Sequence, residues 1–212
     1  YVVGEAAEPG STFKTVSLLA AMDDGYINKN STVETGGGSY KFYGRTITDT
    51  HGYGTLTVDG VIKKSSNIGT AKIINQYYGA NPNSFFEKLD KWHMTKPLDI
   101  DVLGEGRPIM HRPDSKAWSN ITLPVMGYGY GLQLTPIQIV TFYNAVANNG
   151  KMLKPLFMDR ITKKGEADKN FQPVVLVDQL TSLDNIKQMQ EMLRGAVEQG
   201  TGKIISNSNY DI

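Results

Sequence analysis

Two short clusters in the chain hold residues able to do chemistry together. Ser11 and Lys14 stand three residues apart at the head of a segment reading STFKTVSLLAAM, so on a helix they share one face, one turn from each other. A serine there sits near unpaired backbone N–H groups and the positive end of the helix dipole, which favour negative charge on an attacking oxygen. Lys14 becomes a base only by losing its proton near neutral pH, against an unperturbed pKa of about 10.4. Burial and the adjacent dipole both lower that value. The pair therefore suits an activated alcohol for acyl transfer, a known alternative to a Ser–His–Asp arrangement. The plainer assignment is a helix cap beside a solvated lysine, and S-x-x-K arises by chance about once in a chain of this length.

The second cluster is Ser65, Ser66 and Asn67, placed just ahead of a helix start, where capping is again the ordinary role. Projecting from that turn toward the first pair, Ser65 and Asn67 would relay a proton and offer an amide to lysine and substrate. Other candidates carry less. His51, His93 and His111 are far apart and lack H-E-x-x-H spacing, so no metal site is expected. The Gly-Tyr repeat from Gly127 to Gly131 lacks the G-K-[ST] ending of a phosphate loop.

The elements that must position these residues follow from patterning. Residues 11–22 are apolar around nearly the whole helical circumference, the mark of a buried helix, with Pro9 and Gly10 as breakers before it and Asp23, Asp24 and Gly25 after it. Residues 31–57, rich in Gly, Thr and Tyr, read as loop with minor strand, and KFYGRTIT at 41–48 alternates around Gly44 like a short hairpin. Helical spacing returns over 57–64, 67–78 and 82–92. Residues 97–124 carry four prolines and predict a long irregular surface loop. Thr135, Pro136, Gln138 and Gly150 frame a helix over 135–148 by a capping box, an N1 proline and a terminal glycine. Residues 153–161 and 174–177 read as strands, and 183–199 as an amphipathic helix. No repeat or linker divides the chain, so one domain is expected.

Composition narrows the classes. The 212 residues hold 22 Lys plus Arg against 21 Asp plus Glu, a net charge of +1, which argues against a nucleic-acid partner. With 40% apolar and 20% charged residues the chain is an ordinary globular one. It can bury roughly 70% of its unfolded surface without disulfides or metals. There is no cysteine, so thiolate zinc sites and cysteine nucleophiles are excluded. No apolar run of about 18 residues is present.

STFK at Ser11 to Lys14 and SSN at Ser65 to Asn67 match two of the three motifs (S-x-x-K, S-x-N, K-T-G) of the serine penicillin-binding proteins. The surrounding text EPGSTFKT, KKSSNIGTAKI, GYGYGLQLTPIQ and EQGTGK extends the likeness over essentially the whole chain. The sequence resembles the class B branch, peptidoglycan D,D-transpeptidases, most nearly of the cell-division type. The resemblance implies an α+β fold of the penicillin-binding and serine β-lactamase type, here a mostly helical part, residues 1–212, with most of the antiparallel sheet missing. It implies Ser11 as the residue acylated by a D-Ala-D-Ala stem peptide or a β-lactam, and Lys14 as the base. Ser65 would pass the proton toward the leaving amine. Asn67 would hold the Lys14 side chain and bond the substrate amide. The Gly-Tyr repeat would be a structural loop near the cleft. No cofactor or metal is implied; the partners are peptidoglycan stem peptides, β-lactam antibiotics and cell-division membrane proteins. The location implied is extracytoplasmic, on the periplasmic side of the inner membrane, with the anchoring segment absent from this chain.

The departure is the third motif. No K-T-G occurs, and Thr201 to Lys203 reads TGK. The motif is expected just after Ile212, with one of two oxyanion donors, and losing one such donor costs other enzymes roughly 100- to 1000-fold. The chain alone is thus expected to be inactive. Two alternatives remain open: a serine β-lactamase, which needs a positioned carboxylate that no E-x-x-L-N segment supplies here, and a non-catalytic penicillin-sensing module in which Ser11 is only a cap.

Overall fold

The computed structural model describes residues 1–205. A 3₁₀ turn over Gly10–Thr12 leads into helix α1 (Phe13–Asp23). Strands β1 (Thr32–Gly36), β2 (Ser39–Phe42), β3 (Arg45–Thr48) and β4 (Gly54–Thr57) follow. Next come α2 (Val58–Lys64), α3 (Asn67–Tyr78) and α4 (Pro82–Lys91). After them run β5 (Ile109–Met110), α5 (Thr122–Gly127), β6 (Leu132–Gln133) and α6 (Pro136–Ala147). The last elements are β7 (Met152–Leu153), β8 (Arg160–Ile161), β9 (Lys169–Asn170), β10 (Val175–Val177) and α7 (Leu183–Gln199), with a 3₁₀ turn over Thr201–Ile205. Among the described residues every strand pairs antiparallel in a two-stranded unit, and helices dominate.

Helix α1 is the axis of the molecule. Residues 13 to 22 are all buried, and α2, α3, α5 and α7 pack around the helix. Its lack of a polar face follows from its sequence, since a helix apolar all round has nowhere to go but the interior. Each fully buried Leu or Phe there contributes about 1.5–3 kcal/mol over exposure. The same core takes in Phe85, Phe86, Trp92, Phe142 and Met189 from α4, α6, α7 and their junctions.

The Gly44 hairpin forms as patterned: β2 pairs β3 from Ser39↔Thr48 to Phe42↔Arg45. Tyr43 and Gly44 take positive φ, 44° and 89°, as a two-residue hairpin loop of this hand demands. Its inward residues Phe42 and Ile47 form a second apolar cluster with Ile68 and Ala71 of α3 and Val125 and Tyr128. That docking sets where the end of β3 lands.

Three expectations need correction. The helix expected from residue 11 begins as a 3₁₀ turn, so Ser11 lies just before α1 rather than in it. Residues 153–161 do not make one strand: Pro155 lies between two separate two-residue pairings, β7 with β10 and β8 with β9, consistent with its missing N–H. The stretch 97–124 is irregular but not merely superficial. Leu98 and Ile100 are buried, their N–H groups donate to Glu105, and the stretch holds β5 and the start of α5.

Candidate active site

Lys14 is 2% exposed, while Ser11 one turn earlier is exposed. The buried stem of Lys14 brings its Nζ to Ser11 Oγ at 3.1 Å, Ser65 Oγ at 2.9 Å and Ser65 O at 2.5 Å. An ammonium has three protons, and all three are used. Ser65 Oγ in turn donates to Ser11 Oγ over 3.0 Å, closing a triangle of nitrogen and two hydroxyls. Residues 51 positions apart in sequence are thus in direct contact.

Local structure explains why Ser65 reaches in. Helix α2 stops at Lys64, and Ser65 takes the left-handed conformation, φ 52° and ψ 43°. A non-glycine residue there costs of order 1–3 kcal/mol, which surrounding contacts must offset. Ser65 N–H returns to Ile62 O and Ser66 N–H to Val61 O. The next residue, Ser66, caps α3 by accepting from Gly69 N at 2.9 Å. The tight helix-to-helix turn therefore exposes both Ser65 oxygens to Lys14.

Asn67 is tied to the hairpin. Its side-chain amide donates to Thr48 O at 3.0 Å, at the end of β3, and its contact is not with Lys14. The physical reason is the hairpin: docked through Phe42 and Ile47, it places a carbonyl acceptor beside the first turn of α3.

Removing Lys14 from water disfavours its charged form, and its pKa falls from 10.5 to about 8, the Asp49 carboxylate opposing the fall. At pH 7 about one lysine in ten is then neutral, against about one in three thousand at the ordinary value. A base poised near working pH is the efficient one.

Sequence reasoning missed three supports. Asp49, directly after β3, accepts from Ser66 Oγ, Asn67 N and Ile68 N at 2.5, 2.6 and 3.1 Å. Tyr143 of α6 shares a 2.8 Å hydrogen bond with Thr15 and donates to Thr12 O at 2.9 Å, holding the turn that carries Ser11. Glu8 accepts from Gly131 N at 2.8 Å. Only an acidic residue closing a predicted hairpin hinted at the first; the others depend on contacts over 120 residues apart.

The Gly-Tyr repeat lies against the Ser11 turn. Gly10 N–H donates to Gly129 O at 2.9 Å, and a Cβ on Gly129, whose φ is 90°, would lie 1.8 Å from Gly10 O. Among the described residues no group of three or more His, Cys, Asp or Glu is placed to hold a metal, and no helix is long and apolar enough to cross a membrane.

The sequence pattern of the family described as penicillin binding protein transpeptidase domain matches residues 1–212. A probable peptidoglycan D,D-transpeptidase, PbpC of Pseudomonas aeruginosa, is 29% identical over 197 residues, 93% of this chain and 32% of its own length. The peptidoglycan D,D-transpeptidase FtsI of Escherichia coli K12 is 29% identical over 160 residues, 75% of this chain and 26% of its own. The chain thus spans about a third or less of these relatives. Among solved structures, the transpeptidase domain of penicillin-binding protein 3 from Burkholderia pseudomallei superposes with a TM-score of 0.82 at 28% identity, covering 99% of this chain and 60% of that one. Penicillin-binding protein 3 of Mycobacterium tuberculosis, in complex with ampicillin, gives 0.85 at 25% identity, covering 99% and 47%.

Proposed function

Since the chain belongs to the penicillin-binding protein transpeptidase domain family, we propose that it carries the nucleophile centre of a serine D,D-transpeptidase, in which Ser11 is acylated by D-Ala-D-Ala stem peptides and by β-lactams. Neutral Lys14 takes the Ser11 proton as Oγ attacks the carbonyl carbon. The Ser11 N–H stabilises the oxyanion together with a second donor from the expected third motif. As the intermediate collapses, the proton passes from Lys14 through Ser65 Oγ to the leaving D-Ala nitrogen, and the acyl group remains as an ester on Ser11. An amine from a neighbouring strand then attacks the ester, the cross-link forms, and Ser11 regains its proton. Asn67 faces the incoming peptide from the α3 turn, with its amide already engaged by Thr48.

The observation that carries this reading is the closed contact of Lys14 Nζ with Ser11 Oγ and Ser65 Oγ. The work is extracytoplasmic, on cell-wall peptidoglycan, in company with cell-division membrane proteins. Fluorescent penicillin is the test: the longest natural polypeptide containing these residues takes the label and its Ser11→Ala variant does not. Label retained after Ser11→Ala would mean another nucleophile, and rapid turnover of a chromogenic cephalosporin would mean a β-lactamase.

A further inference from the structure

We infer that Asp49 is a positioning residue of this site, holding the Ser65–Ser66–Asn67 turn against Lys14 by binding the end of the β2–β3 hairpin to the start of α3. The inference rests on the reading of Ser11 and Lys14 given above.

Four hydrogen bonds join the hairpin to the turn. Three end on the Asp49 carboxylate, from Ser66 Oγ, Asn67 N and Ile68 N, and the fourth runs from Asn67 Nδ2 to Thr48 O. Charge-assisted bonds of this kind are roughly twice as strong as neutral ones. A carboxylate on backbone N–H groups at a helix start also meets the positive end of the helix dipole. The Asp49 backbone is itself held, because its N–H donates to Gly38 O at 3.0 Å. The chain crosses itself there: a Cβ on Gly38 would lie 2.9 Å from the His51 carbonyl carbon, and one on Gly52 2.9 Å from that of Gly37. Apolar docking of Phe42 and Ile47 onto α3 fixes the rest of the hairpin. Asp49 is therefore carried by a rigid arm, and its partners begin one residue after Ser65, whose two oxygens grip Lys14.

The second effect is electrical. The Asp49 charge favours protonated Lys14 against its burial. The side chains in contact with Lys14, Ser11 and Ser65, are uncharged hydroxyls, and Asp49 is the charge whose field at Lys14 is resolved. Asp49 thus both holds the turn that aims the lysine and partly offsets the fall in its pKa that burial imposes.

The experiment is the second-order rate of acylation by a penicillin between pH 5.5 and 9.5, on the longest natural polypeptide containing this chain. Asp49→Asn should slow acylation about 10- to 100-fold, the scale of a misplaced reacting group. It should also move the midpoint of the pH profile to lower values, because the charge that favoured the ammonium is gone. Asp49→Glu should restore the wild-type midpoint while remaining slower. It is the decisive variant should the asparagine one not fold, and a wild-type rate from it overturns the inference. Equal rates and midpoints for Asp49→Asn and wild type overturn it too, and a rate loss with an unmoved midpoint reduces Asp49 to a structural cap. No acylation of the wild-type protein overturns the Ser11 reading, and this one with it.

Discussion

At the scale of the residue, the site depends on a lysine made weakly basic enough to work. As the ammonium, Lys14 has a partner for each of its three protons in Ser11 Oγ, Ser65 Oγ and Ser65 O, and one proton must leave before it can accept one from Ser11. Arginine cannot make that change, since its guanidinium stays protonated. Lys14→Arg should therefore lower the penicillin acylation rate by about 100-fold or more, the usual worth of a general base, while a thermal melt shows whether the folded state persists. A rate near wild type would show that charge at this place, not proton transfer, is what matters. The S-x-x-K pair was legible in the sequence because three-residue spacing across the turn into a helix puts both side chains on one face. The purpose of Asn67 was not, because its partner Thr48 is brought to it by a hairpin 19 residues earlier.

At the scale of the element, the Ser11 turn is held from two sides, by Tyr143 and by the Gly127–Gly131 loop. Gly129 has no room for a side chain, with Gly10 O in the place a Cβ would take and a φ of 90° that favours glycine. Gly129→Ala should displace the turn, cost about 1–3 kcal/mol of stability from backbone strain alone, and slow acylation further. Gly131→Ala is the control: its φ is 70°, but the nearest atom to an added Cβ is Val125 Cγ1 at 3.7 Å. It should lose stability with a smaller loss of rate, and denaturation with acylation kinetics on both variants separates the two. Helices were the readable elements, since α6 has its Gln138 accepting from Thr135 and α7 spans the predicted residues. The two-residue strands β5, β6, β8 and β9 were not, because a two-residue pairing has no period of its own and is set by what lies opposite.

At the scale of the whole molecule, α1 is a buried axis with chemistry at its entry and an ion cluster at its exit. Asp23 and Asp24 bind Lys88 of α4 at 2.5 and 2.7 Å, and Tyr78 of α3 donates to Asp24 at 2.5 Å. The Lys88, Asp23 and Asp24 side chains are 14–24% exposed, so breaking their ion pairs costs less than the loss of a fully buried pair. Lys88→Ala should destabilise the protein by about 1–3 kcal/mol in urea denaturation without changing the pH profile of acylation. That profile belongs to the other end, where the packing of four helices around α1 withdraws Lys14 from water. The fold class was legible only through the likeness of the motifs and their flanking text to a known family; the contacts that tune the site, Asp49 above all, required docking of the hairpin that no local pattern encodes. The most direct test of the whole account is the acylation rate of the wild-type protein against pH. With Lys14 yielding its proton at about 8, the rate should climb about tenfold per unit below that pH and level above it. A rate that is flat from pH 6 to 9, or still climbing at pH 10, would contradict the claim that a desolvated Lys14 activates Ser11.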